Sequence, residues 1–155
     1  MSASVSIGVD IESLHALYAD PWISARIQQD HRQTCAVQHH AVTYLSARID
    51  DALAGAYMAI RFSLYEIELH ALLKRWAIYR SRELSRLCID WAFSSHAEVQ
   101  RITAWVIHGL ESVRNHCLKL GFRLEGIRRH AVMQRGRLLD VYMLGMTRAE
   151  WEGKQ

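Results

Sequence analysis

A single proline and eight glycines in 155 residues leave no stretch that reads as a linker or a low-complexity tract. No apolar run approaches the roughly 18–20 residues needed to span a bilayer, so no membrane partner is expected. The opening residues, MSASVSIGVD, carry neither a basic start nor an apolar core, which argues against a secretory leader. Cys35, Cys88 and Cys117 are odd in number and have no close pair. That argues against a disulfide frame or a zinc knuckle and fits free, buried thiols in a reducing compartment. The formal net charge is only +3 and no aromatics interleave with a basic run, so no nucleic-acid partner is expected. The nine histidines include the pair His39 and His40, read as strand neighbours on opposite faces, and no H-x-x-x-H spacing occurs. No metal centre is expected.

What is present is a core. Half of the residues are apolar, enough for one domain over residues 1–155. After a β-like Val5–Val9, Asp10 is placed to cap a helix carrying Leu14, Leu17 and Tyr18, which stops at Asp20-Pro21. A second helix is expected over Trp22–Asp30. From Val42 the period shortens to two: strands over 42–49, Leu53–Phe62 and Tyr65–Leu73, joined by short turns, predict an antiparallel meander. Leu84, Leu87, Cys88 and Trp91 then fall at helical spacing behind Ser81, a candidate N-cap. Gln100–Ile107 reads as a strand. Leu110–Leu120 reads as a helix with Val113, Cys117 and Leu120 on its apolar face and Gly121 as C-cap. Two strands close the chain, Phe122–Gln134 and Leu138–Met146, around Arg135-Gly136-Arg137. The order predicts an α+β (mixed α/β) fold, a mostly antiparallel sheet of six to seven strands flanked by roughly four helices.

The run Asn115-His116-Cys117-Leu118-Lys119-Leu120-Gly121-Phe122-Arg123-Leu124-Glu125-Gly126 resembles the "helix, then K-x-G-F-x-x-E-G" segment of GNAT (Gcn5-related N-acetyltransferase) proteins. Gly136, Asp140, Gly145-Met146-Thr147-Arg148 and Trp151 follow as in the branch that modifies ribosomal-protein N-termini (RimJ/RimL). Residues Trp22–Asp30 and Glu66–Leu73 resemble GNAT-type proteins of tailed bacteriophages.

The resemblance implies acetyl-CoA as cofactor and a glycine-rich turn (Q/R-x-x-G-x-G/A) that wraps its pyrophosphate. The matching stretch is Lys74-Arg75-Trp76-Ala77-Ile78-Tyr79-Arg80-Ser81, in which Ala77 and Tyr79 stand where glycines belong. Lys74, Arg75, Arg80 and Arg82 are the candidates to replace that turn with side-chain charge, and Trp76 is a candidate to fill the cofactor's space. Acyl transfer needs a base for the amine. Glu66, Glu68 and His70 alternate onto one face of the third meander strand, where the family often draws its base. The family's acid comes from an asparagine and a tyrosine of the last helix. Leu110 and Cys117 occupy those positions, with Ser112 one residue out of register.

These departures favour a non-catalytic GNAT-fold protein with a degenerate acetyl-CoA site, a structural or assembly component of a phage virion. Its partners would be other virion or assembly proteins or further copies of itself, in the virion or the host cytoplasm. The alternative is an acetyl-CoA-dependent N-acyltransferase acting on a protein or small-molecule amine in the bacterial cytoplasm.

Overall fold

The computed structural model describes residues 1–32 and 34–154. In chain order the elements are β1 (Ala3–Ile7), α1 (Ile11–Ala19), α2 (Pro21–Ile27), β2 (Val42–Ile49), β3 (Ala52–Arg61), β4 (Glu66–Leu73), a 3-10 turn (Arg75–Arg80), α3 (Ser81–Ser94), β5 (Arg101–Ile107), α4 (Glu111–Leu120), β6 (Arg123–Gln134), β7 (Arg137–Thr147) and α5 (Arg148–Glu152). Short side chains set the first boundaries. The Asp10 carboxylate accepts from Ser13 N at 2.8 Å, and Asp20 accepts from Trp22 N and Ile23 N at 2.9 and 3.1 Å. Pro21 sits at the start of α2, where its missing N–H costs nothing.

The seven strands form one sheet in the order β1-β2-β3-β4-β5-β7-β6. Neighbours are antiparallel except β4 and β5, which run parallel. The sheet separates two apolar clusters. Leu14, Leu17 and Ile23 of α1 and α2 pack on Ala56 and Leu72 on one face. Leu84, Cys88 and Phe93 of α3, with Cys117 and Leu120 of α4, pack on Ile67, Ile102 and Leu144 on the other. No helix among the described residues is long and apolar enough to cross a membrane.

Two glycines carry backbone constraints. Gly121 ends α4 at φ 107°, and the amides of Gly121 and Phe122 both reach Cys117 O, which drops the buried Phe122 ring under the helix. Gly55, at φ 154°, lies so close to β4 that a Cβ would sit 2.8 Å from Leu73 Cα.

Several expectations need correction. Ser81 is the first residue of α3 and not its cap; Arg80 precedes the helix and makes no capping bond. Helix α2 ends at Ile27 because Gln28 is already extended. Val113 lies on the outer side of α4, and Cys35 is exposed. His39 and His40 lie in a loop, not a strand, with ring centroids 4.1 Å apart. Helix α5, with a reciprocal Thr147–Glu150 capping box, was not anticipated.

Candidate active site

Strands β4 and β5 pair over Glu66↔Arg101, Ile67↔Ile102 and Glu68↔Thr103, and no further. Their outer neighbours stay in register to the ends, since β3 pairs β4 up to Gly55↔Leu73 and β5 pairs β7 down to Ile107↔Val141. The sheet therefore opens as a fork beyond Glu68 and Thr103. Glu66 and Lys74 direct their main-chain bonds toward the β3 side. By strand alternation, the Leu69 carbonyl and the main-chain groups of Ala71 and Leu73 point into the fork, where no strand meets them.

The face under α1 and α2 carries the polar chemistry. Glu66, Glu68 and His70 share it, as their alternation requires. Glu68 is 6% exposed, and its Oε1 lies 2.5 Å from His70 Nε2. The other ring nitrogen of His70 is left for an outside partner, on a side chain 31% exposed. Glu66 is committed elsewhere: the Thr103 hydroxyl donates to it, and Arg101 Nε lies 3.4 Å away. Arg101 also grips Glu125 of β6 at 2.5 Å. Trp105 stands two residues past Thr103, as His70 stands two past Glu68, so the two face the fork from opposite arms. Trp105 Nε1 is buried without a hydrogen-bond partner, and the Arg128 guanidinium lies 4.6 Å from the ring centroid.

An arch crosses this face at the open end of the fork. Asp30, just past α2, accepts from Arg135 N at 3.0 Å and Gly136 N at 2.6 Å in the β6–β7 turn. Asp30 N donates to Met133 O at 2.8 Å, and Gln134 Nε2 donates to Gln28 O at 2.9 Å. The two amides hold the Asp30 carboxyl below its ordinary pKa. Because α2 sits over β3 and β4 while the turn extends from β6 and β7, their contact spans the ground above the fork.

On the other face, a cavity of about 410 Å³ opens at the start of α3. It is lined by the turn from Ile78 to Ser81, by Arg82, Glu83 and Arg86 of α3, and by His116 of α4. A phosphate here would meet the positive end of a helix without a side-chain cap, together with several cations. Arg80 is not one of the free ones. It binds Glu83 at 2.6 Å and Met1 O at 3.2 Å. Burial, and then the Arg82 and Lys119 charges, push the His116 pKa down. The same ring meets Ser85 Oγ at 3.2 Å, which meets Tyr57 Oη at 2.9 Å beneath it.

The candidate residues thus fall into three places. Glu66, Glu68 and His70 share one face, while Cys117 lies on the opposite one, in the core, its thiol pushed up to about 11 by burial. Of the cofactor set, Tyr79, Arg80 and Ser81 line the cavity, Lys74 precedes the turn and Ala77 is fully buried. Arg75 leaves the set: its guanidinium lies 5.3 Å from the Trp22 ring of α2, a ring that Arg26 also stacks on at 3.1 Å. Trp76 is 46% exposed, so it does not fill the cofactor's space. Ala77 and Tyr79 are accommodated because the stretch is a 3-10 turn with no positive φ. Arg86 and His116 were not anticipated. Arg86 had a signal, four residues beyond Arg82 on one helix face, whereas His116 arrives from a distant element. Among the described residues, no cluster of three or more His, Cys, Asp or Glu gathers to hold a metal ion.

The sequence matches no family model, and no curated protein is similar to it in sequence. In structure, the chain is similar to spermidine N-acetyltransferase from Vibrio cholerae in complex with CoA and spermine, at TM-score 0.83 and 14% identity over 97% of this chain and 98% of that one. It is also similar to a dodecameric form of that enzyme, at TM-score 0.80 and 14% identity over 99% and 98%. The fold expected from the C-terminal segment is therefore the one observed, a GNAT fold with a seven-stranded mixed sheet.

Proposed function

We propose that the chain is an acyl-CoA-dependent N-acyltransferase that acts on an amine. The observation that carries this reading is the fork, with the His70–Glu68 pair on one face of its mouth and the α3 cavity on the other. Acetyl-CoA would supply an acyl carbon activated as a thioester. The residues fit it. The α3 start, Arg82, Arg86 and His116 would hold the diphosphate, and the Leu69 carbonyl with the main-chain groups of Ala71 and Leu73 matches an extended chain bearing amides. Glu83 is the one anion in the lining, and Arg80 neutralises it.

His70 acts as base. Glu68 holds Nε2, so Nδ1 takes the proton as the amine nitrogen attacks the acyl carbon. Transfer would form a C–N bond and break the thioester C–S bond, the electron pair going to sulfur and a solvent proton there balancing the one His70 takes. Glu66 is too firmly paired to serve as base, and Cys117 is enclosed in the core, where burial pushes its thiol up to about 11. A homo-oligomer belongs to the same reading, because one structural neighbour is dodecameric.

Ala77, Tyr79, Leu110 and Cys117 favour a second reading, a non-catalytic docking component that binds other assembly proteins. Its virion setting draws no support from the structural neighbours. Calorimetric titration with acetyl-CoA separates the two. The first reading expects a Kd in the micromolar range, weakened by salt as the arginines are screened. No heat at millimolar acetyl-CoA, from a folded sample, overturns it in favour of the second.

A further inference from the structure

Resting on the acyl-transfer reading, we infer that the acceptor is a small amine bearing a carboxylate, a free amino acid in kind, whose carboxylate is received by Trp105 Nε1–H and the Arg128 guanidinium beside the fork. The argument is an accounting of the charged groups on the face under α1 and α2. Each carboxylate there has a hydrogen-bond partner, with Glu66 and Glu125 sharing the one Arg101 guanidinium and Asp30 held by main-chain amides. Glu66 has the Thr103 hydroxyl and Arg101, Glu125 has Arg101 at 2.5 Å, and Glu68 has His70 at 2.5 Å. A polycation such as the spermine bound by the structural neighbour would have to compete with Arg101, His70 and the amides for these carboxylates.

The groups left over are donors. Trp105 Nε1 is buried and unpartnered, an unfavourable state for a donor until an acceptor arrives. Arg128 makes no ion pair among the described residues and lies over the same ring. Arg26 and Arg75 both lie against Trp22 and make no ion pair among the described residues, adding positive charge at the open end of the fork. A flat anion with two oxygens suits an indole N–H and a guanidinium acting together.

Size follows from the arch. Asp30 and the β6–β7 turn join above the fork through the four bonds described, so the acceptor lies beneath a closed span. A free amino acid fits under such a span, whereas the N-terminus of a folded protein would have to open it. An amino acid placed with its carboxylate toward Trp105 presents its amine toward His70 on the facing arm.

The test uses the whole chain in two ways. In the first, the twenty protein amino acids, their carboxamides and spermidine are each supplied with acetyl-CoA, and released CoA thiol is followed. At least one amino acid is expected to turn over, its carboxamide at least tenfold more slowly in kcat/KM. R128Q is expected to raise the amino acid's KM about tenfold while leaving the Kd for acetyl-CoA unchanged. Turnover of spermidine, or of a carboxamide, as fast as the best amino acid overturns the inference. In the second, the same compounds are titrated without cofactor while the Trp105 indole N–H resonance, assigned with W105F, is observed. A shift with that amino acid and not with its carboxamide is expected. No shift with any amino acid overturns the inference even if acetyl-CoA binds. A shift without acetyl-CoA binding keeps the acceptor site and removes the transferase reading.

Discussion

The two sides of the β4–β5 fork solve their problems by different means. On the side proposed for the acceptor the polar groups come from neighbouring strands, and regular alternation aligns them. Glu66, Glu68 and His70 sit at even positions of one strand, facing Arg101, Thr103 and Trp105 at odd positions of the next. On the side proposed for acetyl-CoA the work falls to one irregular turn, and here the residues differ from the pattern that the C-terminal segment led one to expect. A glycine turn presents main-chain amides at positive φ, while the 3-10 turn Arg75–Arg80 presents side chains at ordinary φ. Chemistry that rests on strand register is preserved by the sheet itself, because losing it would turn the apolar set outward. Chemistry that rests on loop glycines has no such protection.

The largest expected effect tests the acceptor side. H70A should lower kcat by about 10²–10⁴-fold with little change in the Kd for acetyl-CoA, as removal of a general base does. E68Q should be milder, and its signature is a shifted pH–rate profile, because an amide still holds the ring but no longer balances its charge. Steady-state kinetics across pH 6–9 read both. An unchanged kcat in H70A would move the base role to Glu68, released from its partner, or to solvent.

An intermediate effect separates the two ways of holding a phosphate. R82Q and R86Q should each weaken acetyl-CoA about tenfold, the scale of a lost charge-assisted hydrogen bond at roughly 1.5 kcal/mol. The double variant A77G/Y79G restores the glycines and should not tighten binding, because added chain freedom costs about 0.5–1 kcal/mol per glycine. Calorimetry decides between them. Tightening by tenfold or more in A77G/Y79G would mean that main-chain amides limit the site and that the arginines are solvated bystanders.

The contrast between the two sides also explains what could be read in the sequence. The meander was legible because β2, β3 and β4 are consecutive and their side chains alternate, and the helix-to-strand corner was legible because Gly121-Phe122 is a local device. The fork was not. Nothing in Glu66–Leu73 or Arg101–Ile107 says that their pairing stops at Glu68↔Thr103, since that depends on how two sheet halves twist apart. The arch was equally hidden, because Asp30 and Gly136 meet across 106 positions of chain. Trp76 was misplaced for a related reason: an aromatic beside a lost glycine suggests filling, but the 3-10 geometry turns that ring to solvent and buries Ala77 instead.

The smallest effect concerns Cys117, the residue at which sequence and geometry disagree most. Its position in α4 matches that of a proton donor in the resembling family, yet its side chain packs among Leu120, Cys88 and Leu84 in the core. Burial drives its pKa up to about 11, and Cys88 is pushed higher still. At pH 7.5 both thiols are protonated and shielded, while Cys35 is exposed, so iodoacetamide should label Cys35 first and leave Cys117 intact in the folded chain. C117A should then change kcat by less than about threefold and lower stability by roughly 1 kcal/mol, as a small core truncation does. The pairing of the two readouts matters more than either alone. A thiol that only packs loses stability and keeps turnover, whereas one that delivers the leaving proton would lose turnover steeply, with a basic limb in its pH profile near 11 that the alanine variant lacks.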